Sequence, residues 1–310
     1  MARAVTRPRI GLALGSGSAR GWAHIGVIEA LIEAGVEPEI VCGASIGALV
    51  GAAYVADRLP ALKEFAEALT WREIVRLLDV RLSGGGLING KRIVELLRKL
   101  KIAEPIESYD KPYAAVAADL ETGREVWLCD GPIDQAVRAS VSLPGIVSPT
   151  RRDGRWLADG GLVNPIPVST CRALGADIII AVNLNNDIVG RFGSEAIHQS
   201  RAGDAGSSQE FLNRLLAQTP SALRKQATAV ATKLLRPGIA APSYFDVLTN
   251  SLKIMQDQIT RARLAGEPPH VMLMPKLQKI RLMEFDRAKD AIASGRACAE
   301  EALPALRRYV

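Results

Sequence analysis

The feature that most constrains the fold of this 310-residue sequence is a strand–turn–helix pattern that occurs twice near its beginning. Apolar runs at residues 9–14 and 40–42 each lead into a glycine-containing turn, and helical patterns follow at residues 21–34 and 46–56. Strands that alternate with helices in this order form parallel sheets covered on both faces. We therefore predict an α/β fold with three layers, α/β/α, around a mostly parallel central sheet.

The rest of the sequence extends this pattern and divides into three parts. Further strands are predicted at residues 113–118, 125–129, 178–182 and 271–274, and further helices at residues 61–78, 90–100, 244–264 and 286–306. Composition changes after residue 184, where Gly, Ser, Gln and Asn become frequent before an amphipathic stretch at 211–235. We expect a core at residues 8–184, an insertion at 185–242 that serves as a lid or contact segment, and a helical C-terminal extension at 243–310 packed on the core.

The charge balance of the chain favours an anionic partner. The formal net charge is +6, which would suit an anionic membrane surface or a nucleic acid. Only five Phe, five Tyr and four Trp accompany this charge, and no basic run is interleaved with aromatic residues. Nucleic-acid binding therefore has little support, and peripheral association with an anionic membrane is the preferred expectation.

Two regions that could direct export or membrane insertion lack the required pattern. Residues 1–9 are basic and contain no apolar run of the kind found in signal peptides. The most lipid-like run, residues 43–56, is shorter than the roughly 20 residues that a spanning helix needs. We expect a cytoplasmic protein, either free or peripheral at the inner face of the membrane.

The cysteines indicate neither a disulfide framework nor a metal site. They form no C-x-x-C pair and no metal-ligand spacing, so we expect four reduced thiols: Cys42, Cys129, Cys171 and Cys298. The sequence predicts no metal and no cofactor.

The second turn has the form of a nucleophile elbow, Gly43-Ala44-Ser45-Ile46-Gly47, between a predicted strand and a helix of small residues. The glycines would allow a strained turn that lifts the Ser45 hydroxyl to the helix N-terminus, where developing negative charge is favoured. The alternative is a glycine-rich packing turn in which Ser45 only caps the helix.

The first turn, residues 15–21, is also rich in glycine and opens a helix. Such loops point successive backbone N–H groups into one concavity, which in an acyl hydrolase is an oxyanion hole. The candidate donors are Gly15, Ser16, Gly17 and Ser18. A dinucleotide-binding turn is the alternative, but its spacing requires glycine where this chain has Arg20, and no P-loop lysine follows.

A nucleophilic serine needs a base, and the chain contains only three histidines. None of His24, His198 and His270 lies in a hydrolase-like setting, and core or surface roles are expected for them. The alternative base is Asp159, which an apolar stretch delivers into a Gly-Gly turn. A water-poor pocket would raise its pKa toward the working range, although an Asp-Gly-Gly turn is more often purely structural.

Taken together, five stretches of this sequence resemble the patatin-like phospholipase family, specifically the bacterial branch similar to neuropathy target esterase. The resemblance covers roughly residues 8–184. The five stretches are the glycine loop with the start of its helix (residues 15–27), the elbow (residues 43–47), Ala118-Asp119-Leu120-Glu121-Thr122-Gly123, Ala139-Ser140-Val141-Ser142-Leu143-Pro144-Gly145 and Asp159-Gly160-Gly161.

This resemblance implies a serine acyl hydrolase that cleaves acyl esters of lipids without a metal, through a Ser45–Asp159 dyad and an acyl-enzyme. It implies a supporting role in the motif geometry for Arg20, Gly21, Gly43, Gly47, Gly160 and Gly161. The chain departs from the family pattern at Ser16 and Ser18, which interrupt the usual glycine run. A serine held at positive φ would cost about 1 kcal/mol or more. The alternative function is a patatin-fold regulatory or scaffold protein with weak catalysis.

Overall fold

The computed structural model describes residues 7–70, 73–74, 88–186 and 244–309. The chain forms two compact units, one made of Met1–Asp187 with Gln258–Val310 and the other of Ile188–Asp257. The predicted insertion at residues 185–242, with its amphipathic stretch, lies outside the described residues except for residues 185 and 186. Its role as a lid or contact segment, and the boundaries of the three predicted parts, stay predictions.

The described residues form one eight-stranded sheet in the first unit. Five strands are parallel in the order β8-β7-β1-β2-β3, and three antiparallel strands extend the sheet at β3: β4 and β6 pair with β3, and β5 pairs with β6. The strands are β1 (Ile10–Leu14), β2 (Ile40–Ala44), β3 (Tyr113–Asp119), β4 (Glu125–Leu128), β5 (Thr150–Arg152), β6 (Arg155–Asp159), β7 (Ile178–Val182) and β8 (Val271–Leu273).

Strand β3 brings two distant parts of the chain together. Its first half pairs with β2 and its second half with β6, while β4 pairs with both halves. Because a strand has only two edges, β2 and β6 must lie end to end on the edge opposite β4. The last residue of β2, Ala44, is opposite Val116, and the last residue of β6, Asp159, is opposite Ala117. The chain therefore leaves both strands at adjoining positions.

The α-helices are α1 (Ala23–Glu33), α2 (Ile46–Val55), α3 (Leu59–Ala68), α4 (Lys91–Lys99), α5 (Ile133–Ser140), α6 (Val168–Ala173), α7 (Tyr244–Gly266) and α8 (Ala288–Leu306). Short 3-10 turns occupy Ser18–Trp22, Ile106–Ser108, Gly160–Leu162 and Phe285–Arg287. Among the described residues, no helix is both long and apolar enough to cross a membrane.

The central strands are buried on both faces, as the predicted three-layer arrangement requires. Alternate residues along β1 and β7 point to opposite sides. Leu12 and Ile180 belong to the larger core beneath α1, α2 and α8, whereas Ala13 and Ala181 belong to a smaller core beneath α6. The α/β/α prediction with a helical C-terminal region is confirmed.

The structure differs from the sequence prediction at several element boundaries. The helix predicted from residue 21 begins as the 3-10 turn Ser18–Trp22 and becomes α-helical only at Ala23. The helix predicted at residues 61–78 is α3, which ends at Ala68; residues 71–72 and 75–87 lie outside the described residues. The short elements α5, β5 and α6 are not predicted from the sequence, because three to eight residues carry little periodicity.

Candidate active site

Ser45 alone forms the turn between β2 and α2, with φ 56° and ψ −123°. Few residues other than glycine adopt such a backbone conformation, and it persists only where the surrounding structure enforces it. Here the enforcement comes from close packing: a Cβ on Gly43 would lie 2.4 Å from the Gly47 oxygen, and one on Gly47 would lie 2.2 Å from the Leu14 oxygen. The two glycines therefore let α2 start directly over the strand ends, with the Ser45 side chain raised.

The Ser45 side chain contacts Asp159, as their adjoining strand ends allow. Ser45 Oγ donates a hydrogen bond of 2.5 Å to Asp159 Oδ2, and it makes no bond that would cap α2. The other carboxylate oxygen, Oδ1, accepts from the Gly161 N–H at 2.7 Å. The carboxylate therefore fixes its own Gly-Gly turn and also contacts the serine hydroxyl.

Asp159 is a fully buried carboxylate. Burial raises the pKa of Asp159 from its ordinary value to about 6, and the hydrogen bonds from Ser45 and Gly161 oppose this rise by favouring the charged form. A carboxylate with a pKa near 6 is still ionised at neutral pH, and it is a stronger base than an exposed aspartate.

A second serine, Ser140, fixes the elbow from the side. Its hydroxyl accepts from the Ser45 N–H at 2.9 Å and donates to the Val116 oxygen at 2.6 Å. The N–H of Ser45 is therefore already paired and is not free to bind an oxyanion. From the sequence, the segment around Ser140 stands out only through the family resemblance, which predicts no role for this serine. The Ser-x-Ser pattern at residues 140–142 was the available signal.

Asp159 is held in place through Ser142. The Ser142 carbonyl accepts from the Asp159 N–H at 2.9 Å, and the Ser142 hydroxyl accepts from Arg138 Nη1 at 2.7 Å. Arg138 is buried, and its other terminal nitrogen donates to the carbonyl oxygens of Asn89 and Ser148. Burial lowers the pKa of Arg138 to about 10, so this cross-link stays cationic at neutral pH. Neither the role of Ser142 nor that of Arg138 is predicted from the sequence.

The glycine loop offers fewer free donors than the four predicted. The Gly15 N–H donates to the Val182 oxygen at 3.1 Å, and the Ser16 N–H donates to the Pro165 oxygen at 2.9 Å. In this conformation these two groups hold the loop. Within residues 7–70, 73–74, 88–186 and 244–309, the N–H groups of Gly17 and Ser18 have no acceptor. They are the remaining candidate donors of an oxyanion hole.

The predicted strain in the glycine loop falls on Ser18, which has φ 52°. Ser16 is outside the left-handed region. The end of the loop lies against the elbow, because a Cβ on Gly21 would meet the Ile46 side chain at 2.2 Å. Gly160 is similarly confined, since its Cβ would lie 2.2 Å from the Val116 oxygen.

Where they are described, the histidines lie in the core and surface positions that were expected. His24 is fully buried, and its Nε2–H donates to the Gly15 oxygen at 2.8 Å; burial lowers the pKa of His24 to about 4. His270 is exposed, and its Nδ1 accepts from the Ile179 N–H at 3.0 Å. His198 lies outside the described residues. The four cysteines are free thiols, and no group of metal-ligating side chains occurs in the described part of the chain.

The fold and the site define a class: a three-layer α/β protein in which a sharp strand–helix elbow holds a serine against a buried aspartate. A family model described as patatin-like phospholipase matches residues 12–172. The chain belongs to the patatin-like phospholipase family, which implies lipid acyl hydrolase activity.

Several relatives share this family. An uncharacterized NTE family protein of Mycobacterium tuberculosis is 36% identical over 98% of this chain and 93% of the relative, and one from Mycobacterium bovis has the same values. Human patatin-like phospholipase domain-containing protein 6 is 33% identical over 60% of this chain and 14% of its own length. Among solved structures, VipD from Legionella pneumophila aligns with a TM-score of 0.45 and 13% identity, covering 97% of this chain and 67% of VipD.

Proposed function

We propose that this protein hydrolyses acyl esters of lipids, with Ser45 as the nucleophile and Asp159 as the general base. One observation carries the proposal: the 2.5 Å hydrogen bond from Ser45 Oγ to Asp159 Oδ2 in a fully buried setting. A nucleophile and its base must be within hydrogen-bond reach before the pKa of the base matters. The hydrogen bond meets the requirement for reach, and the pKa of Asp159, which burial raises to about 6, suits a general base.

The reaction proceeds in two half-reactions. Asp159 accepts the Ser45 proton while Ser45 Oγ attacks the acyl carbonyl carbon, and the tetrahedral intermediate expels the alcohol, which takes up the proton from Asp159. Water then attacks the acyl-serine with Asp159 again accepting the proton, and the collapse of the second intermediate returns that proton to Ser45 Oγ and releases the carboxylic acid. Ester and water are consumed, alcohol and acid are formed, and the enzyme is regenerated.

We assign stabilisation of the oxyanion to the N–H groups of Gly17 and Ser18. Their freedom from acceptors among the described residues supports this assignment, as does the packing of Gly21 against Ile46, which keeps the loop next to the elbow. A single such donor contributes roughly 3 to 4 kcal/mol to the stabilisation of a transition state.

The proposed substrate is a lipid ester presented at an anionic membrane surface. The family supports a lipid acyl substrate, and the net charge of +6 supports approach to anionic headgroups. Co-sedimentation with vesicles of neutral and of anionic lipid at low salt would test the second part. We expect stronger binding to anionic vesicles that weakens as salt is added. Equal binding to both vesicle types would remove the membrane component of the proposal.

The dyad is tested by covalent labelling and turnover together. Wild type, Ser45→Ala and Asp159→Asn are treated with a fluorophosphonate probe, and release of p-nitrophenol from short and medium acyl esters is followed in parallel. The control variants Ser108→Ala and Asp290→Asn remove the same functional groups at exposed positions. We expect wild type and both controls to label and turn over, Ser45→Ala to do neither, and Asp159→Asn to lose at least about 100-fold in kcat.

A folded wild-type protein that is inert in both assays would overturn the catalytic proposal and favour the scaffold role. Circular dichroism of every variant shows whether a lost activity reflects a lost fold. If Asp159→Asn retained wild-type turnover while Ser45→Ala did not, Ser45 would remain the nucleophile and another group would have to serve as its base.

A further inference from the structure

The glycine loop is held by a segment more than 250 residues further along the chain. Residues 280–285, here called the clasp, accept four hydrogen bonds from the turn Ser18–Trp22. Their lengths are 2.6 Å for Ser18 Oγ to the Leu282 oxygen, 3.0 Å for the Ala19 N–H to the same oxygen, 2.7 Å for Arg20 Nε to the Ile280 oxygen and 3.1 Å for Trp22 Nε1 to the Phe285 oxygen. All four acceptors are backbone carbonyls.

The clasp bonds begin at the strained residue of the loop. Ser18, at φ 52°, carries one of the two proposed oxyanion donors on its N–H and one of the clasp bonds on its hydroxyl. A residue in this conformation needs contacts that outweigh its cost of about 1 to 3 kcal/mol. Because the Ala19 N–H donates to the same Leu282 carbonyl as the Ser18 hydroxyl, the clasp restrains the backbone beside Ser18 as well as its side chain.

The buried side chain of Arg20 connects the glycine loop to the clasp. Within the described ranges this side chain forms no direct ion pair, and Nη1 has no hydrogen-bond partner. Burial lowers the pKa of Arg20 to about 10, and the charge of Glu284, a residue of the clasp, opposes this only in part. Burying a guanidinium without a direct ion pair is costly, so its bond to the Ile280 carbonyl is a fixed part of the packing. The side chain therefore joins the loop to the clasp as a rigid polar link.

The clasp is itself anchored to the core. Ile280 is 4% exposed, and the Phe285 ring packs edge-on against Trp22 with ring centroids 6.1 Å apart. Directly after the clasp, α8 crosses α1 so closely that a Cβ on Gly295 would lie 1.9 Å from the Ala23 oxygen. The clasp therefore leads from the active-site loop into a packed helix pair.

We propose that the clasp is a positioning element of the active site, which sets the direction of the Gly17 and Ser18 N–H groups at the developing oxyanion. It lies outside the residues 12–172 that the family model covers. On this view the family core of this chain needs its C-terminal part for the geometry of the reaction as well as for stability. The inference rests on the proposed hydrolase function.

The test weakens individual clasp bonds and separates turnover from folding. Ser18→Gly removes the hydroxyl bond and also relieves the positive φ, so its two effects on the thermal midpoint oppose each other. Trp22→Phe removes the indole N–H and keeps an aromatic ring. The matched controls lose a similar bond elsewhere: Ser108→Ala loses a 2.6 Å bond to the Pro105 oxygen, and Trp127→Phe loses a 2.6 Å bond to Glu125.

Turnover of a p-nitrophenyl ester is expressed per active site titrated with the fluorophosphonate probe, so an unfolded fraction does not contribute. We expect kcat to fall about 10-fold or more in Ser18→Gly and Trp22→Phe with KM nearly unchanged, because misplaced donors weaken only the transition state. The two controls should keep wild-type kcat.

Unchanged kcat in both clasp variants, with wild type active and Ser45→Ala inactive, would overturn the positioning role and leave the proposed function intact. If wild type itself neither labels nor turns over, the proposed function fails and the positioning role fails with it. A drop in thermal midpoint with unchanged kcat per titrated site would reduce the clasp to a stabilising contact and would also overturn the inference.

Discussion

At the residue scale, the site depends on a carboxylate that the fold places out of water. Asp159 is fully buried, and two hydrogen bonds from Ser45 and Gly161 satisfy its oxygens without a cationic partner among the described residues. Desolvation is therefore the largest influence on the pKa of Asp159, and the charged form of this carboxylate is less favourable than that of an exposed aspartate. The same burial that makes Asp159 a better base also makes it unfavourable for folding.

The base role predicts a rate that depends on pH. Only the ionised Asp159 can accept the Ser45 proton, and its pKa is about 6, so kcat/KM should rise with pH and reach half its plateau near pH 6. The measurement follows p-nitrophenol release at its isosbestic wavelength between about pH 4.5 and pH 8, at constant ionic strength. A profile that is flat through pH 6, with the site still labelled by fluorophosphonate at each pH, would contradict this assignment.

The cost of burial predicts a stability difference that also depends on pH. The pKa of Asp159 is higher in the folded state than in the unfolded chain. The resulting contribution of Asp159 to the free energy of unfolding is therefore fully present below the pKa of the unfolded chain, about 4, and is lost as pH rises through the folded pKa of about 6. Asp159→Asn should therefore be more stable than wild type by up to about 3 kcal/mol at pH 8, with a smaller difference at pH 4.5. Urea unfolding at both pH values measures this difference. A constant gap between the two proteins would contradict the prediction.

At the element scale, the structure depends on two close approaches of backbone to backbone. At one, the elbow glycines let α2 begin over the ends of β1 and β2. At the other, α1 and α8 cross at Gly26 and Gly295, where an added Cβ would lie 2.0 Å from the Ile292 oxygen or 1.9 Å from the Ala23 oxygen. Such contacts leave no room for a methyl group, and neither neighbour is a flexible side chain.

The α1–α8 crossing gives a sharp prediction for a conservative substitution. Gly295→Ala should lower the free energy of unfolding by about 1 to 3 kcal/mol, because the methyl group must push the two helices apart. Gly266→Ala is the matched control, since a Cβ at Gly266, the last residue of α7, meets nothing within 4 Å. Chemical denaturation of both variants measures the effect. Equal stabilities would show that the helices can separate at little cost.

Sequence patterns predicted those parts of the site that depend on side-chain type and local spacing. Ser45 in its Gly-x-Ser-x-Gly turn and Asp159 before Gly160 are candidates from the sequence alone, and the structure brings them together. The hydrogen bonds of Ser140 and Arg138 that support the elbow and Asp159 are not predicted, because a side chain bound to a carbonyl oxygen leaves no periodic signal. Only the Ser-x-Ser pattern at residues 140–142 marks this segment. The clasp is not predicted from the sequence for the same reason, because all its hydrogen-bond acceptors are backbone carbonyls.

At the scale of the whole molecule, the C-terminal part completes the fold begun by the first half. Strand β8 extends the parallel sheet beside β7, and the residues after it supply buried side chains to the larger core. Those from residue 276 onward are Leu277, Ile280, Ala288, Ala291, Ile292, Ala299 and Leu306. Their removal would expose the face of α1 that packs against α8, together with the glycine loop that the clasp holds.

This arrangement predicts that the C-terminal part is indispensable to the fold. A chain ending at residue 275 loses the clasp and α8 while keeping every strand of the sheet, and we expect it to lack a cooperative unfolding transition in urea. A chain ending at residue 306 keeps α8 complete and loses only Arg307, Arg308, Tyr309 and Val310, so it should unfold with nearly the wild-type midpoint. If the shorter chain unfolded cooperatively at the same midpoint, the core built by the first half would be sufficient by itself. In that case α8 would add little to the stability of the fold. The clasp could then only position the glycine loop on a core that is stable without it.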